Sequence, residues 1–594
     1  MSTTVPQVPQ KAVAAPLPLS AAPRGGELSD SEINRIAPTR GDRLFLVLSI
    51  FIGCVSGLLV VCFRISIEWL KVLLLGSVPH AGQYRLILAP MIIGLFIGLL
   101  VRYFFPQARG SGINQTKAAL YIYNGYISAR TMIGKFITSA LAIGSGQSLG
   151  PEDPSLQIGA GVASLIGRKL HLSRERLRLF APVGAAAGLA AAFNAPISAI
   201  LFVIEEVIGA WTAAVLGSVV LAAISSVVVA RAFWGPQPMF HIPPVTLRDN
   251  RELLAYAVLG VVGGLAAVLF SRLLAVLRPW LRSMSPWAQV FQPAVAGLMV
   301  GAIGFFGFSQ VMGAGYETID HAMHGEFLWH ALLAMAVLKI LATTISFSSG
   351  TPGGMFAPTL FIGAMLGASV GSVEKILFPH LTGSVGSYAL VGMGVLFAAF
   401  LRVPLTSVFM VFEVSGNYSI VLPVILANTI AYLIARSLQP VPIFEALTLQ
   451  DGLALPSMEE VREETTLRIE DALQPLPGQS FIGTDTAGKI LAAVREEKEA
   501  FALIRCAGNR WYVISAADLE KVAQTAEAAD KPIEPLLPED RVPILYPDLP
   551  LNETLAHFHR WPLIPVVNRA MSGLLEGVVT QTDVLKCYES HSHA

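Results

Sequence analysis

The stretch that decides the fold is GSGQSLGPEDPSLQIGA, residues 144–160. It lies in strongly apolar sequence, yet it places Glu152 and Asp153 side by side between two prolines. Carboxylates at membrane depth are costly and mark functional positions. Glycine and proline also interrupt a spanning helix, and such interruptions are tolerated only where the backbone is buried in protein or lines a polar cavity. We therefore predict a broken helix that opens onto a polar site.

The composition of the whole chain is that of a membrane protein. Of its 594 residues, 54% are hydrophobic and 14% are charged, whereas soluble domains are about one quarter charged. Apolar runs begin at Leu44 and recur up to residue 437, and several reach the roughly 20 residues that a helix needs to cross a bilayer. We expect an α-helical, polytopic integral membrane protein of the cell membrane with both termini in the cytoplasm.

Charge divides the chain into two parts. Residues 451–594 hold 23 acidic and 13 basic side chains, whereas residues 1–450 carry a basic excess. The acidic end alternates short apolar strands with helices, which predicts a soluble α/β tail that contains its own duplication; its acidity argues against nucleic-acid binding. The predicted domains are a disordered cytoplasmic leader (1–42), a membrane domain (43–450), a linker (451–473) and the tail (474–594, with units at 474–525 and 535–590).

The membrane part contains an internal repeat. The pattern Gly-x-x-x-Pro-Ser/Thr-Leu-x-Ile-Gly-Ala occurs at 150–160 and again at 354–364, and a second shared pattern links 183–205 with 391–413. Two halves, about 44–234 and 252–440, therefore share one plan, and we expect them to be inverted relative to each other. Transporters built this way place their site where interrupted helices meet at the repeat interface.

Three glycine-rich breaks, at 110–114, 150–154 and 353–358, each precede a predicted helix. A helix N-terminus presents unpaired N–H groups and partial positive charge, which suits an anion. Ser111 adds a hydroxyl donor. The alternative is that the glycines only allow close helix packing, but two of the breaks occupy matched repeat positions, which favours an anion site.

These breaks resemble the signatures of the CLC family of chloride channels and chloride/proton exchangers. The family motifs GSGIP, G-[KR]-E-G-P and G-x-F-x-P are similar to 110–114, 150–154 and 354–358, and FNAPISAILFVIEE (193–206) resembles the segment after the second motif. The resemblance covers about 44–450, and the tail resembles the paired CBS domains of many members. It implies re-entrant broken helices, chloride and protons as the transported ions, and a homodimer.

The resemblance also implies roles for two glutamates. Glu152 stands where the family has its gate, a carboxylate that competes with the anion; the alternative is a simple helix cap. Glu206 stands where exchangers carry an internal proton-transfer glutamate, and Glu205 is expected to be a structural ion-pair partner. The alternative is that both of these acids only cap a helix end.

The same resemblance implies an anion site. Lys135 would add positive field, unless its side chain snorkels to the membrane surface. Phe444 aligns with a family tyrosine that helps to hold chloride, and a phenyl ring cannot donate a hydrogen bond. The anion-site residues that the resemblance assigns are Ser111, Gly112, Met355, Phe356, Phe444 and Lys135.

Three further positions depart from the family motifs. Pro151 replaces a basic residue, Asp153 replaces glycine, and Asn114 replaces proline. Removing a cation and adding an anion beside the gate is expected either to weaken anion binding or to favour the protonated form of the gate. Selectivity and stoichiometry therefore remain open at this point.

The tail contains two Ser/Thr-x-x-Asp motifs, Ser515 with Asp518 and Thr580 with Asp583. In some CBS pairs this motif contacts the ribose of an adenine nucleotide. It is also an ordinary helix cap, and the sequence leaves both possibilities open. No other cofactor and no metal site is expected.

The leading function is chloride/proton antiport, with a passive voltage- or pH-gated chloride channel as the alternative. Glu206 favours exchange. Phe444 and the altered gate motif are also compatible with the passive channel. An enzyme is not expected, because the apolar region shows no HExxH motif and no arrangement of a nucleophile with histidine.

Overall fold

The computed structural model describes residues 40–76, 81–209, 213–237, 239–240, 249–380, 383–453, 455, 467–476, 479–497, 500–508, 510–523, 531–537, 540–569 and 574–592. Most of the predicted leader (1–39) and much of the predicted linker (454 and 456–466) lie outside these residues.

The first half of the membrane domain consists of eight described helices, two of which end in a π-helical turn. Glycine- and proline-rich breaks separate them, as the sequence predicted. The helices are α1 (Arg40–Leu75), α2 (Arg85–Leu99, continued by Leu100–Phe104), α3 (Ile113–Tyr121), α4 (Ala129–Gly144), α5 (Glu152–Lys169), α6 (Arg174–Phe193), α7 (Pro196–Phe202, continued by Val203–Ile208) and α8 (Ala213–Trp234).

The second half repeats this order and adds a final short helix. Its helices are α9 (Glu252–Arg282), α10 (Pro286–Ile303, continued by Gly304–Phe308), α11 (Tyr316–Met323), α12 (Trp329–Ser348), α13 (Phe356–Leu377), α14 (Val385–Leu401), α15 (Pro404–Ser415), α16 (Val421–Leu438) and α17 (Ile443–Gln450). Among the described residues, nine helical segments are long and apolar enough to span a membrane.

Packing follows the repeat. Helix α1 packs on α8 as α9 packs on α16, α5 packs on α6 as α13 packs on α14, and α2 packs on its own counterpart α10. Equivalent serines start α6 and α14: Ser173 and Ser384 each accept a hydrogen bond from the N–H three residues later, the usual N-cap contact.

Matched glycines allow these helix pairs to approach closely. A Cβ on Gly159 of α5 would lie 2.1 Å from the carbonyl oxygen of Gly184 in α6, and a Cβ on Gly363 of α13 would lie 2.2 Å from that of Gly392 in α14. Small residues at such crossings are the usual means of packing helices in membranes. Any larger residue at these four positions would push the helices apart.

The two halves also cap each other. Glu205 of the first half accepts hydrogen bonds from the Thr406 N–H at 2.8 Å and the Thr406 hydroxyl at 2.6 Å, in the first turn of α15. Glu413 of the second half accepts the equivalent bonds from the Ser198 N–H at 2.8 Å and hydroxyl at 2.5 Å, in α7. Glu205 therefore caps α15 from the other half of the membrane domain, and its role as an ion-pair partner stays a prediction.

The tail contains two small sheets. The first unit runs β1 (Phe481–Ile482), α18 (Ala487–Glu497), β2 (Phe501–Cys506), β3 (Arg510–Ser515) and α19 (Ala516–Ala523), and the second ends in β4 (Leu563–Val567), β5 (Leu575–Thr580) and α20 (Gln581–Ser592). β1 lies parallel to β2, and β2 is antiparallel to β3. In the second unit a parallel bridge between Leu545 and Val566 takes the place of β1. The prediction that the tail contains short strands and helices is confirmed.

Candidate functional site

The two matched breaks meet at the repeat interface. The Gly150 N–H donates to the Gly354 carbonyl at 2.8 Å, and the Gly354 N–H donates back to the Gly150 carbonyl at 2.8 Å. The equivalent segments run antiparallel here, which is the relation that an inverted repeat requires. The bridge brings the N-termini of α5 and α13 together, because each helix begins two residues after its glycine.

Glu152, the first residue of α5, is fully buried at this junction. One carboxylate oxygen accepts a hydrogen bond from the Ala357 N–H at 3.3 Å, in the first turn of α13. The other accepts from the hydroxyl of Tyr316. Glu152 therefore occupies donors at a helix N-terminus, as an anion would.

The sequence reasoning missed Tyr316, the first residue of α11. The repeat contains a signal for it: GAGY (313–316) is the second-half counterpart of GSGI (110–113). Gly315 before it adopts a left-handed φ of +87°, and a Cβ there would lie 2.5 Å from the ring of Phe361. Glycine is therefore required to bring the phenol to Glu152.

Asp153 places a second carboxylate on the same helix end. It is fully buried, and one of its oxygens accepts a hydrogen bond from the Met355 N–H at 3.2 Å. The family resemblance assigned this N–H to the anion. In this structure the donor is already engaged by a side chain of the protein.

The first break lies against α5. The Ser111 hydroxyl accepts a hydrogen bond from the Ile113 N–H at 3.2 Å, and its own hydrogen can still donate. Gly112 has a φ of +116°, and a Cβ there would lie 3.0 Å from the side-chain oxygen of Gln157. Gln157 is fully buried, and neither of its polar atoms has a hydrogen-bond partner among the described residues. Both atoms are able to hydrogen-bond a polar ligand or an ordered water.

Two phenylalanines complete the surroundings. Phe356, the first residue of α13, packs its ring 4.7 Å from that of Phe202, measured between centroids. Phe444, at the start of α17, is buried, and its carbonyl accepts a hydrogen bond from the Asn114 side chain at 3.2 Å. Asn114, which replaces the family proline, thus ties α17 to the first break.

Lys135 is fully buried, and its Nζ donates to the Gly110 carbonyl at 2.7 Å. The snorkelling alternative is therefore wrong. Its repeat counterpart, Lys339, was missed, although it lies at the same 204-residue offset as the matched breaks. Lys339 is equally buried and donates to the carbonyls of Val311 at 2.9 Å and Gly313 at 2.7 Å. Each lysine holds the loop that precedes a short helix, α3 or α11.

Glu206 lies in the π-helical turn after α7 and forms a buried ion pair. The Lys117 Nζ lies 2.8 Å from its carboxylate, and the two side chains are only 6% and 7% exposed. Lys117 therefore compensates the charge of Glu206 inside the protein. The sequence reasoning missed Lys117, because nothing local links two residues 89 positions apart.

A family model described as voltage gated chloride channel matches residues 93–436, more than half of the chain. The chain belongs to the CLC family. A ClcB-like protein of Ralstonia nicotianae, which bears the name of a chloride channel protein, is 34% identical over 426 residues, 69% of this chain and 99% of the relative. The H⁺/Cl⁻ exchange transporter ClcA of Salmonella arizonae is 31% identical over 416 residues, 68% of this chain and 87% of ClcA.

Two solved structures resemble this CLC protein. A slow cyanobacterial Cl⁻/H⁺ antiporter matches with a TM-score of 0.62 and 25% identity over 69% of this chain and 97% of its own. A eukaryotic CLC transporter matches in fold with a TM-score of 0.59 and 20% identity over 91% of this chain and 97% of its own. The predicted fold class is confirmed: a polytopic α-helical CLC fold, followed by a region with small sheets.

The two tail motifs of this CLC protein both cap helices. Ser515 accepts a hydrogen bond from the Asp518 N–H at 3.1 Å and donates to the Asp518 carboxylate at 2.7 Å. Thr580 accepts a hydrogen bond from the Asp583 N–H at 3.3 Å and donates to the Asp583 carboxylate at 2.5 Å. The ammonium of Lys521 and then the hydroxyl of Ser515 lower the pKa of Asp518.

Tyr316→Phe should speed chloride transport by this CLC protein. The change removes a donor to the Glu152 carboxylate, and hydrogen bonds to charged groups contribute about 1.5–3 kcal/mol. The carboxylate should then leave its donors more readily, and chloride efflux from liposomes near neutral pH should rise about tenfold. Tyr256→Phe is the matched control, because the Tyr256 hydroxyl is also buried against a carboxylate, that of Glu252. An equal effect of both changes would contradict a specific role for Tyr316.

Proposed function

We propose that this protein exchanges chloride for protons across the membrane, with Glu152 as the gate. The observation that carries the proposal is the position of the Glu152 carboxylate on the Ala357 N–H, at the N-terminus of α13. Chloride and a carboxylate need the same donors, so they exclude each other. When Glu152 takes up a proton, it loses its negative charge and no longer binds these N–H donors strongly. Anion entry and proton uptake are thereby linked.

We propose that Glu206 transfers protons at the other end of the path. The burial of the Glu206 carboxylate in the membrane domain supports this role, because intramembrane acids are costly and usually functional. The ion pair with Lys117 keeps that carboxylate inside the protein without an uncompensated charge. Ser111, Gly112, the Phe356 N–H and, when Asp153 releases it, the Met355 N–H are the proposed anion ligands.

The test is proton movement driven by chloride in liposomes that contain the purified protein. An exchanger pumps protons uphill when only a chloride gradient is imposed, and the uptake stops when the gradient is removed. Chloride flux without proton movement would instead establish the passive channel. Absence of chloride flux would overturn the anion assignment.

We also propose a homodimer with both termini in the cytoplasm, no enzymatic activity, and domain limits at 43–450 and 474–594. The CLC resemblance supports the dimer. The tail has two apolar clusters among its described residues, one around Ile490 in the first unit and one around Ile564 that also includes Trp511 of β3. These clusters support its treatment as a soluble part. Chemical crosslinking in liposomes at low protein density tests the dimer: a monomer would contradict it.

We propose that the tail is a paired CBS domain that regulates transport by binding an adenine nucleotide. The two units with equivalent strand orders and equivalent Ser/Thr–Asp pairs support this. Asp583→Ala should lower ATP affinity at least about tenfold, because a lost hydrogen bond to a charged group is worth roughly 1.5 kcal/mol or more. Calorimetry on the full chain measures it.

The control for this change is Asp471→Ala, which removes another helix cap of the tail, on the Arg468 N–H. Each cap contributes about 1 kcal/mol to stability, so both variants should melt slightly earlier. Only Asp583→Ala should alter ATP binding. No ATP binding by the unmodified protein would reject the nucleotide and leave the capping role.

A further inference from the structure

Two carboxylates of α5 occupy neighbouring donors of α13. Glu152 takes the Ala357 N–H, and Asp153 takes the Met355 N–H, two residues earlier on the same helix end. Both side chains are fully buried. A gate made of Glu152 alone would leave the Met355 N–H free for chloride, and in this chain it is not free.

Only one of the two carboxylate oxygens of Asp153 has a hydrogen-bond donor among the described residues. Its second oxygen is buried and has no hydrogen-bond partner among the described residues. A Cβ on Gly354 would lie 2.7 Å from the Asp153 carboxyl carbon, so the group is pressed against the break itself. An ionised carboxylate normally engages several donors, and burying one with an unmet oxygen is costly. The Met355 N–H therefore compensates the Asp153 carboxylate only in part, and protonation would relieve the remaining cost.

The groups that face Asp153 make its charge responsive to its surroundings. Glu152 adjoins it on α5 and repels a second negative charge. Lys135 of α4 is close enough to interact electrostatically with Asp153, although its ammonium hydrogen bonds to the Gly110 carbonyl. From α13, the Met355 N–H is the donor. Beyond Glu152 lie Tyr316 of α11 and Lys339 of α12, whose charge acts on Glu152.

We propose that Asp153 is a second gating carboxylate, which holds the Met355 N–H until chloride replaces it. The inference rests on the proposed function and deepens it. Chloride binding at Met355 would then require Asp153 to accept a proton from solution. The neutral Asp153 side chain would leave the Met355 N–H, and chloride would take its place. The chain would bind chloride together with one more proton than Glu152 alone explains.

The test is chloride affinity in a protein whose first gate is neutral. Full-length Glu152→Gln in detergent is titrated with sodium chloride by calorimetry between about pH 5 and about pH 8. If Asp153 gates, affinity should still weaken as pH rises, by at most about tenfold per pH unit, the limit for one linked proton. Glu152→Gln/Asp153→Asn should bind chloride tightly with no pH dependence.

Asp153→Gly in the same background serves as a second variant, because glycine removes the carboxylate without leaving an amide. Gel filtration and thermal melting verify that each variant is folded. A pH-independent affinity of Glu152→Gln itself would overturn the second gate while leaving the proposed function intact. So would a pH dependence that survives both Asp153 changes. If Glu152→Gln binds no chloride at any pH, the anion site itself is wrong.

Discussion

Glu152→Gln should abolish uphill proton movement in liposomes while chloride still crosses. Glutamine keeps the size of the side chain but carries no titratable proton, so the proton path loses the group that couples it to the anion. Proton uptake driven by a chloride gradient should fall by at least about two orders of magnitude, to the level of the passive proton leak of the liposomes. A pH electrode and a chloride electrode in the same vesicle suspension measure both fluxes.

The control is Glu413→Gln. Glu413 is a glutamate of the same membrane domain, but its carboxylate accepts hydrogen bonds from the first turn of α7. Its loss should weaken a helix cap, by about 1 kcal/mol, and leave the ratio of protons to chloride unchanged. Proton pumping that persists in Glu152→Gln would remove Glu152 from the coupling step.

Glu206→Gln should have the second-largest effect, because it disrupts transport and stability together. Proton movement should fall by at least about tenfold, since an amide cannot relay a proton. The Lys117 ammonium would also remain buried without its counter-charge. Breaking a buried pair from one side costs about 3–5 kcal/mol, unless the lysine gives up its proton. Thermal melting in detergent should show this loss.

Lys117→Met/Glu206→Met separates the two effects. Without either charge, the buried site needs no ion pair, and melting should return close to that of the unmodified protein, as replaced ion pairs elsewhere show. Proton movement should stay lost. If the double change restored it, Glu206 would be a structural residue and the proton would travel elsewhere.

Much of this architecture could be predicted because its signals are local. Glycine and proline interrupt a helix wherever they occur, so the breaks before Ile113, Glu152 and Phe356 were readable, and the repeat showed that two of them correspond. Glu152 was found for the same reason. A carboxylate between two prolines in apolar sequence has few explanations other than a polar site.

The contacts of these residues could not be predicted in the same way. Tyr316 reaches Glu152 from 164 positions away, and Lys117 reaches Glu206 from 89; no periodicity marks either pairing. Asp153 looked like a charge that merely weakens a site, whereas the structure gives it a particular donor. The repeat offset could have identified Lys339, because residues 135 and 339 are equivalent and both are lysine.

The reciprocal caps between Glu205 and α15 and between Glu413 and α7 constrain how the protein is made. The residue that completes α7 lies more than 200 positions later in the chain, so the first half leaves the ribosome with a helix end that it cannot finish alone. A first half released on its own would have N–H groups at the start of α7 that lack their Glu413 acceptor. Splitting the gene between α8 and α9 should therefore give a working transporter only when both fragments are synthesised in the same cell.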